Sequence, residues 1–335
     1  MDGAMMHRLD QVLDALDGRR SVTGVGLAAR LELSAHALNN EGSLNNATLP
    51  RQVDVVAGEE IVQVNAISGD TIKHAFVDYL RAAIADGGPG DGLTPICEPC
   101  RLGDPNRSNA DKAFQAAARN PRLTTADVIG ELIRRCTIDD AAGLLVTQGN
   151  RNAPRRSSVQ FGWELGIPDR VRTGRYTHVK LVPANPKSEN AEGSNLGQNI
   201  FTRPASSGRY AFVGHCDLDR IGRNDVTLER EISDEAWRAR AACTLTALLH
   251  TVALPGGAQR NTQLPHVHGV EGALAISLAS MPPVVYSPLA EDFVQQMAHV
   301  AAAFGRAGRD HFVVRFDSLG ELGDLLSRLS ATLAA

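Results

Sequence analysis

Ile61-Val62-Gln63-Val64-Asn65-Ala66-Ile67-Ser68-Gly69-Asp70-Thr71-Ile72-Lys73-His74-Ala75-Phe76-Val77-Asp78-Tyr79-Leu80-Arg81 is the stretch on which the reading of this chain turns. A β-rich run from Ile61 to Ile67 stops at Ser68-Gly69, and a helical pattern begins at once. Ile72, Ala75, Phe76, Tyr79, Leu80 and Ala83 recur at helical spacing as one apolar stripe. Ser68 is placed to cap the helix, and Asp70 suits the positive end of its dipole. Backbone N–H groups at that end, with Lys73 and His74 in the first turn, suit a phosphate. The plainer alternative is a strand-to-helix corner with a solvated polar face.

Upstream, residues 25–37 read as a strand. Val25, Leu27, Ala29, Leu31, Leu33, Ala35 and Ala37 point one way, and Arg30, Glu32, Ser34 and His36 the other. That alternation predicts a sheet covered by helices on one side only. The following segment, Asn39-Asn40-Glu41-Gly42-Ser43-Leu44-Asn45-Asn46, is expected to be a loop. Its side-chain amides can donate to phosphates and sugars without adding charge.

Downstream, Asp86-Gly87-Gly88-Pro89-Gly90-Asp91-Gly92 breaks the pattern and opens an insertion reaching to about residue 208. The core resumes at Arg209, where Tyr210, Phe212, Gly214, Cys216 and Leu218 alternate as a strand. Ser233 is expected to cap a helix carrying Trp237, Ala241, Leu245, Leu248, Leu249 and Val252. The glycine-turned segment Leu254 to Leu264 follows, in which Arg260 can grip a phosphate. A strand over 270–280, a helix through Leu289, Phe293, Met297, Val300 and Phe304, a strand at 311–316 and a last amphipathic helix complete the chain.

The chain has 335 residues, 43% hydrophobic and 21% charged, as expected of a soluble globular protein. No apolar run is long enough to span a bilayer. Asp10, Asp14 and Asp17 interrupt any secretory pattern, and five cysteines, an odd number, suit reduced thiols in a cytoplasm. A net charge of −4 excludes a protein that coats nucleic acid by global charge. Yet between Arg151 and Lys180 seven basic residues face two acids, a local reversal of sign that suits a polyanion.

Four motifs together resemble one family: Leu38-Asn39-Asn40-Glu41-Gly42-Ser43, Asn65-Ala66-Ile67-Ser68-Gly69-Asp70-Thr71-Ile72-Lys73-His74, Ser157-Ser158-Val159-Gln160-Phe161-Gly162, and Gly257-Ala258-Gln259-Arg260 through Leu264-Pro265. In this order they are similar to the DevR-like branch of the backbone subunits of type I CRISPR surveillance complexes (Cascade), within the RAMP superfamily. The resemblance implies an α+β fold, with a ferredoxin-like, RRM-type core at 21–86 and 209–335. It also implies an inserted thumb or fingers region at 87–208, behind an N-terminal extension at 1–20.

It further implies a non-catalytic, cytoplasmic protein that binds crRNA and stacks head to tail with copies of itself. It would meet target DNA through the guide, beside other Cascade subunits, with no membrane and no cofactor. On that view Asn39, Asn40 and Asn45 line the RNA path, and Ser68, Lys73 and His74 meet its phosphates. Arg151, Arg155, Arg156 and Arg260 clamp it, with Gln259, Asn261 and Arg203 alongside. Leu196, Ile200 and Phe201 are the apolar residues that could displace a base or, alternatively, anchor the loop to its own core. Residues 1–20 either dock on a neighbouring subunit or form a loosely attached terminus. The rival reading is a type III-like subunit that cuts target RNA with a divalent metal. Relatives of that kind use a loop aspartate, and residues 38–50 hold only Glu41 as an acid.

No metal site is expected. Cys97-Glu98-Pro99-Cys100 is a lone pair, whereas structural zinc takes four ligands. Cys136, His74, His178 and His215 are the conceivable additions, and none has supporting spacing. His266-x-His268 lacks an acid at matching spacing, and His215, Asp217 and Asp219 read as the polar face of a strand. There is no Walker loop, dinucleotide fingerprint or serine elbow.

Overall fold

A computed structural model describes residues 11–13, 21–87, 92–181, 198–307 and 310–334. In chain order its first half runs β1 (Gly24–His36), β2 (Asn40–Leu44), β3 (Ala47–Pro50), β4 (Gln52–Ala57), β5 (Glu60–Ile67), α1 (Gly69–Asp86), α2 (Glu98–Leu102), α3 (Lys112–Arg119), α4 (Thr125–Arg135) and α5 (Thr137–Ala142). The second half runs β6 (Leu144–Val146), β7 (Ala153–Arg155), β8 (Val159–Phe161), β9 (Glu164–Leu181), β10 (Gln198–Asp217), α6 (Asp234–Ala253), β11 (His266–Ser277), α7 (Phe293–Arg306), β12 (His311–Phe316) and α8 (Leu319–Ala334). The fold is therefore α+β, built on a large sheet of order β12-β11-β1-β10-β9-β5-β4.

β1 lies between β10 and β11 and is antiparallel to both. Its residues Val25, Leu27, Ala29, Leu31 and Leu33 enter the main core with Ile72, Phe76 and Leu80 of α1, Leu245 and Leu248 of α6, and Leu322, Leu326 and Leu329 of α8. Alternation and helical spacing thus select the same face, the agreement between local pattern and packing that specifies a fold. The described part of the N-terminal segment, residues 11–13, is helical, and Val12 is buried in this core. The rest of 1–20 lies outside the described residues.

The expectation of a one-sided sheet fails. α7 covers the other face, where Ala28, Ala273, Ala275 and Val313 pack against Phe293, Met297 and Ala301. Arg30 belongs to that face and is buried. Its guanidinium lies 5.3 Å from the Phe293 ring centroid and reaches Glu291 at 3.0 Å. Alanines and a paired arginine on alternate positions read like a solvated face, because periodicity does not report what lies above it. His36 also departs from the polar face. One extra residue of β1 is accommodated between Leu33 and His36, Ala35 adopts φ +58°, and His36 turns inward against Tyr210. Burial lowers the pKa of His36 to about 4.

The insertion has a small core of its own, with Phe114, Val128, Ile129, Leu132, Ile133 and Val146. The expected boundary at 208/209 falls inside β10, whose pairing with β9 runs from Gln198↔Leu181 to Ala211↔Leu165. The long ribbon and the sheet are one piece. Among the described residues no helix is long and apolar enough to cross a membrane.

Candidate nucleic-acid interface

The corner at Ser68 forms as its sequence predicts. Ser68 caps α1, its hydroxyl accepting from the Thr71 N–H at 3.3 Å. The Ser68 N–H donates to Asn39 Oδ1 at 2.9 Å, which ties the exit of β1 to the start of the helix. These contacts occupy amides that were expected to face a phosphate. Gly69 is also backed by protein, since a Cβ there would lie 2.5 Å from the Phe161 carbonyl oxygen. Side chains, not the helix terminus, are therefore what this corner offers to an anion.

The glycine-turned segment closes on the same corner. Gly257 passes so near Leu38 that a Cβ would sit 2.2 Å from its carbonyl oxygen, and that carbonyl accepts from the Ala258 N–H at 2.8 Å. Gly256 lies against Ala75 of α1. Only glycine permits these two backbones to touch. Between them opens a cleft of about 580 Å³ whose walls include His74, Tyr79, Arg260 and Asn261. A second cleft of about 330 Å³, with Lys73, Arg81 and Arg107, adjoins it, because Asp70 and His74 line both. The two form one trough across the first turns of α1.

Its lining is of mixed charge, with Asp70, Asp78 and Asp104 beside Lys73, Arg81, Arg107 and Arg260. Burial, and next the charge of Arg107, lower the pKa of Lys73, with Asp70 opposing. Arg107 is itself paired with Asp139 at 3.3 Å. Arg260 Nε is buried without an acceptor, and Gln259 Oε1 without a donor. His74 is exposed, 3.9 Å from Asp78.

The remaining expected residues divide. Asn40 begins β2 and Asn45 sits exposed at the β2–β3 turn, so the segment taken for a loop is a short hairpin. Arg203 donates to Thr262 at 3.3 Å, and its guanidinium lies 4.8 Å from the centroid of the Phe201 ring. Phe201 stacks on His178 across the ribbon and Ile200 is exposed, while Leu196 and the loose stretch 185–195 lie outside the described residues.

Two arginines expected to clamp RNA have other work. Arg155 is buried and bonded to Asp140 at 2.6 Å and Asp225 at 2.8 Å. Arg151 donates to the carbonyls of Ala118 and Asn120 at the end of α3. Those carbonyls are the free acceptors that every helix C-terminus leaves. Arg156 is exposed, as are Arg170, Arg172, Arg175 and Lys180 along β9. Arg107 is the residue that sequence reasoning missed, because nothing in Asn106-Arg107-Ser108 announces that it folds back on α1.

The cysteine pair has also acquired company. Cys97 and Cys100 meet Cys136 and the Asp139 carboxylate, with one ligand atom from each lying within 4.8 Å of all the others. All four residues are buried. Hydrogen bonds from Cys100, then Cys136, hold Cys97 low, and hydrogen bonding to Cys136, then Cys97, pushes Cys100 up. Burial raises both Cys136 and Asp139. Asp139 had no place in the sequence reading. His268, by contrast, pairs with Glu32 at 3.4 Å, an ordinary surface contact.

Comparison with known proteins decides the family. The family described as CRISPR-associated negative auto-regulator DevR/Csa2 matches residues 27–298. The chain belongs to the DevR/Csa2 family. A CRISPR-associated protein Cas7/Cst2/DevR from Thermoproteus tenax is 24% identical over 298 residues, covering 84% of this chain and 83% of that one. One of the same description from Methanocaldococcus jannaschii is 24% identical over 290 residues, covering 82% and 87%. Among solved structures, a chain of a CRISPR RNA-guided surveillance complex aligns with a TM-score of 0.46 at 17% identity, over 85% of this chain and 88% of its own.

Proposed function

We propose that this DevR/Csa2 protein is a non-catalytic backbone subunit of a type I surveillance complex, holding crRNA along its trough and stacking head to tail with further copies beside other subunits. One observation carries the reading: the glycine turn before Arg260 and the corner at Ser68 meet on one side of the molecule. They frame a trough of two adjoining clefts, one lined by Lys73 and Arg107, the other by Arg260, with His74 in both. Its cations and amides, set among Asp70, Asp78 and Asp104, suit a sugar–phosphate chain held without regard to its bases. The guide then reads its target by pairing.

The fold agrees with an RRM-type core. The antiparallel order β11-β1-β10-β9, with α1 after β1 and α6 between β10 and β11, is the order of a βαββαβ ferredoxin-like sheet. Its second strand is β9, which comes from the region first read as insertion. The acid content of the hairpin supports a non-cutting role, since exposed Glu41 is the only carboxylate in 38–50.

The test is titration of the full chain with guide-length RNA at several salt concentrations. Replacing Lys73, His74 and Arg260 together by alanine is expected to weaken binding about a hundredfold at 0.1 M salt. It should flatten the slope of log affinity against log salt by about 2, at roughly 0.7 per lost contact to a single strand. Unchanged affinity and slope would remove the trough from the RNA path. Periodic cuts in complementary RNA with magnesium would overturn the non-catalytic part.

A further inference from the structure

Cys97 and Cys100 stand at the N-cap and third positions of α2, and Cys136 and Asp139 stand at the same two positions of α5. Two x-x-spaced pairs, each on the first turn of a short helix, thus face each other. The Thr137 N–H, donating to the Pro95 carbonyl at 2.7 Å, fastens one turn to the other. We propose that these four residues form a structural zinc site that pins the base of the insertion beneath α1.

The geometry is that of one ion. With Zn–S at about 2.3 Å, tetrahedral ligands stand about 3.8 Å apart. The four donor atoms lie within 4.8 Å of one another, and Cys100 Sγ is already 3.7 Å from Asp139 Oδ2. Contraction by about 1 Å or less on each edge closes the shell. The chemistry agrees: thiolates are the soft donors that select zinc, and an aspartate oxygen, though harder, is also among its ligands.

A second layer of contacts aims the carboxylate. Ser108 donates to Asp139 Oδ2 through its hydroxyl at 2.5 Å and its N–H at 3.2 Å, and Arg107 reaches Oδ1 at 3.3 Å. Orienting contacts of this kind are what metal-bound carboxylates have. Arg107 offsets the charge of this buried carboxylate, yet Cys100 Sγ still lies 3.7 Å from its Oδ2, a thiol–carboxylate contact that packing of small apolar groups does not require. When zinc binds, the three thiols release their protons to solvent, and the negative charge left on the site is partly offset by Arg107, which reaches Asp139 at 3.3 Å.

The inference does not depend on RNA, and metal content is read without it. The reduced full-length chain, reconstituted with zinc chloride and desalted, is expected to retain about one zinc per chain by elemental analysis. Cobalt chloride in its place should give the thiolate charge-transfer band and the ligand-field bands of a tetrahedral centre. Cys136→Ala should lose the zinc, and Asp139→Cys should keep it while shifting the cobalt bands toward an all-sulfur centre. Wild-type chain that retains no zinc, or cobalt bands lacking thiolate character, would overturn the site. So would full zinc content in Cys136→Ala. An unchanged cobalt spectrum in Asp139→Asn would remove Asp139 from the ligand set and overturn the four-residue site as stated.

Discussion

The base of the insertion and the trough over α1 use the same residue type for opposite ends. At the base, Arg155 and Arg240 converge on Asp140 at 2.6 and 2.7 Å, all three buried, and Gly222 donates its N–H to the same carboxylate. In the trough, Arg260 keeps a nitrogen without an acceptor, and Lys73 is crowded by Arg107. Where arginines are supplied with acids, they hold segments distant in sequence together. Over α1 the clefts also hold Asp70, Asp78 and Asp104, and Arg107 reaches Asp139, but Arg260 keeps a buried nitrogen without an acceptor. A run of positive charge in a sequence therefore says little until the carboxylates that meet it are located.

The sharpest way to break this contrast is at Asp140. Asp140→Ala leaves buried Arg240 without its carboxylate and Arg155 with Asp225 alone, and should cost about 3–5 kcal/mol in denaturant unfolding. A loss near zero would mean that the base is not held by charge. The trough variant lacking Lys73, His74 and Arg260 should behave in the opposite way. Its loss of RNA affinity should come with an unfolding midpoint within about 0.5 kcal/mol of wild type, as for surface substitutions. A large loss of stability there would make those cations structural.

Glu164 sharpens the comparison further, because it is a buried acid that forms no ion pair among the described residues. Burial raises its pKa to about 8, and its Oε1 has no partner. With the folded value above the unfolded one, the folded state holds the proton between about pH 4.5 and 8, and its stability falls as pH rises through that window. Glu164→Gln should flatten this fall, by an amount on the order of 4 kcal/mol at pH 8. An identical pH profile in the variant would place a counter-charge beside Glu164. The smallest effect is expected at Arg156, exposed and bonded only through its backbone N–H to Asp225. Arg156→Ala should change stability by less than about 0.5 kcal/mol, and its RNA affinity decides whether the exposed edge of the insertion lies on the path.

Much of this was legible in the residues. Ser68 reads as a cap because hydroxyl, turn and apolar stripe are all local, and the glycine turn before Arg260 announces close approach by composition alone. The exposed cations of β9 were legible as charge. Arg155 was not distinguishable from Arg156, since their fates depend on Asp140 and Asp225, one helix and one loop away. The thiol–carboxylate set was hidden for the same reason. Cys97-x-x-Cys100 is visible as a pair, but Asp139 becomes its neighbour only once α5 folds against α2. The covered outer face of β1 escaped because alanine and a shielded arginine carry no hydrophobic signature.

The extra residue at Ala35 acts as a phase shifter. Up to Leu33 the odd positions of β1 look into the core, and beyond it the sense reverses, so His36 and Leu38 are interior while Asn39 meets Ser68. Removing one residue there would keep the strand in its sheet but swap inside for outside along everything that follows. Leu38 would turn away from Gly257, and the amide that clasps the helix would point elsewhere. One side of the trough is thus kept in step by a single irregularity, and a length change in 34–37 should uncouple it without melting the domain.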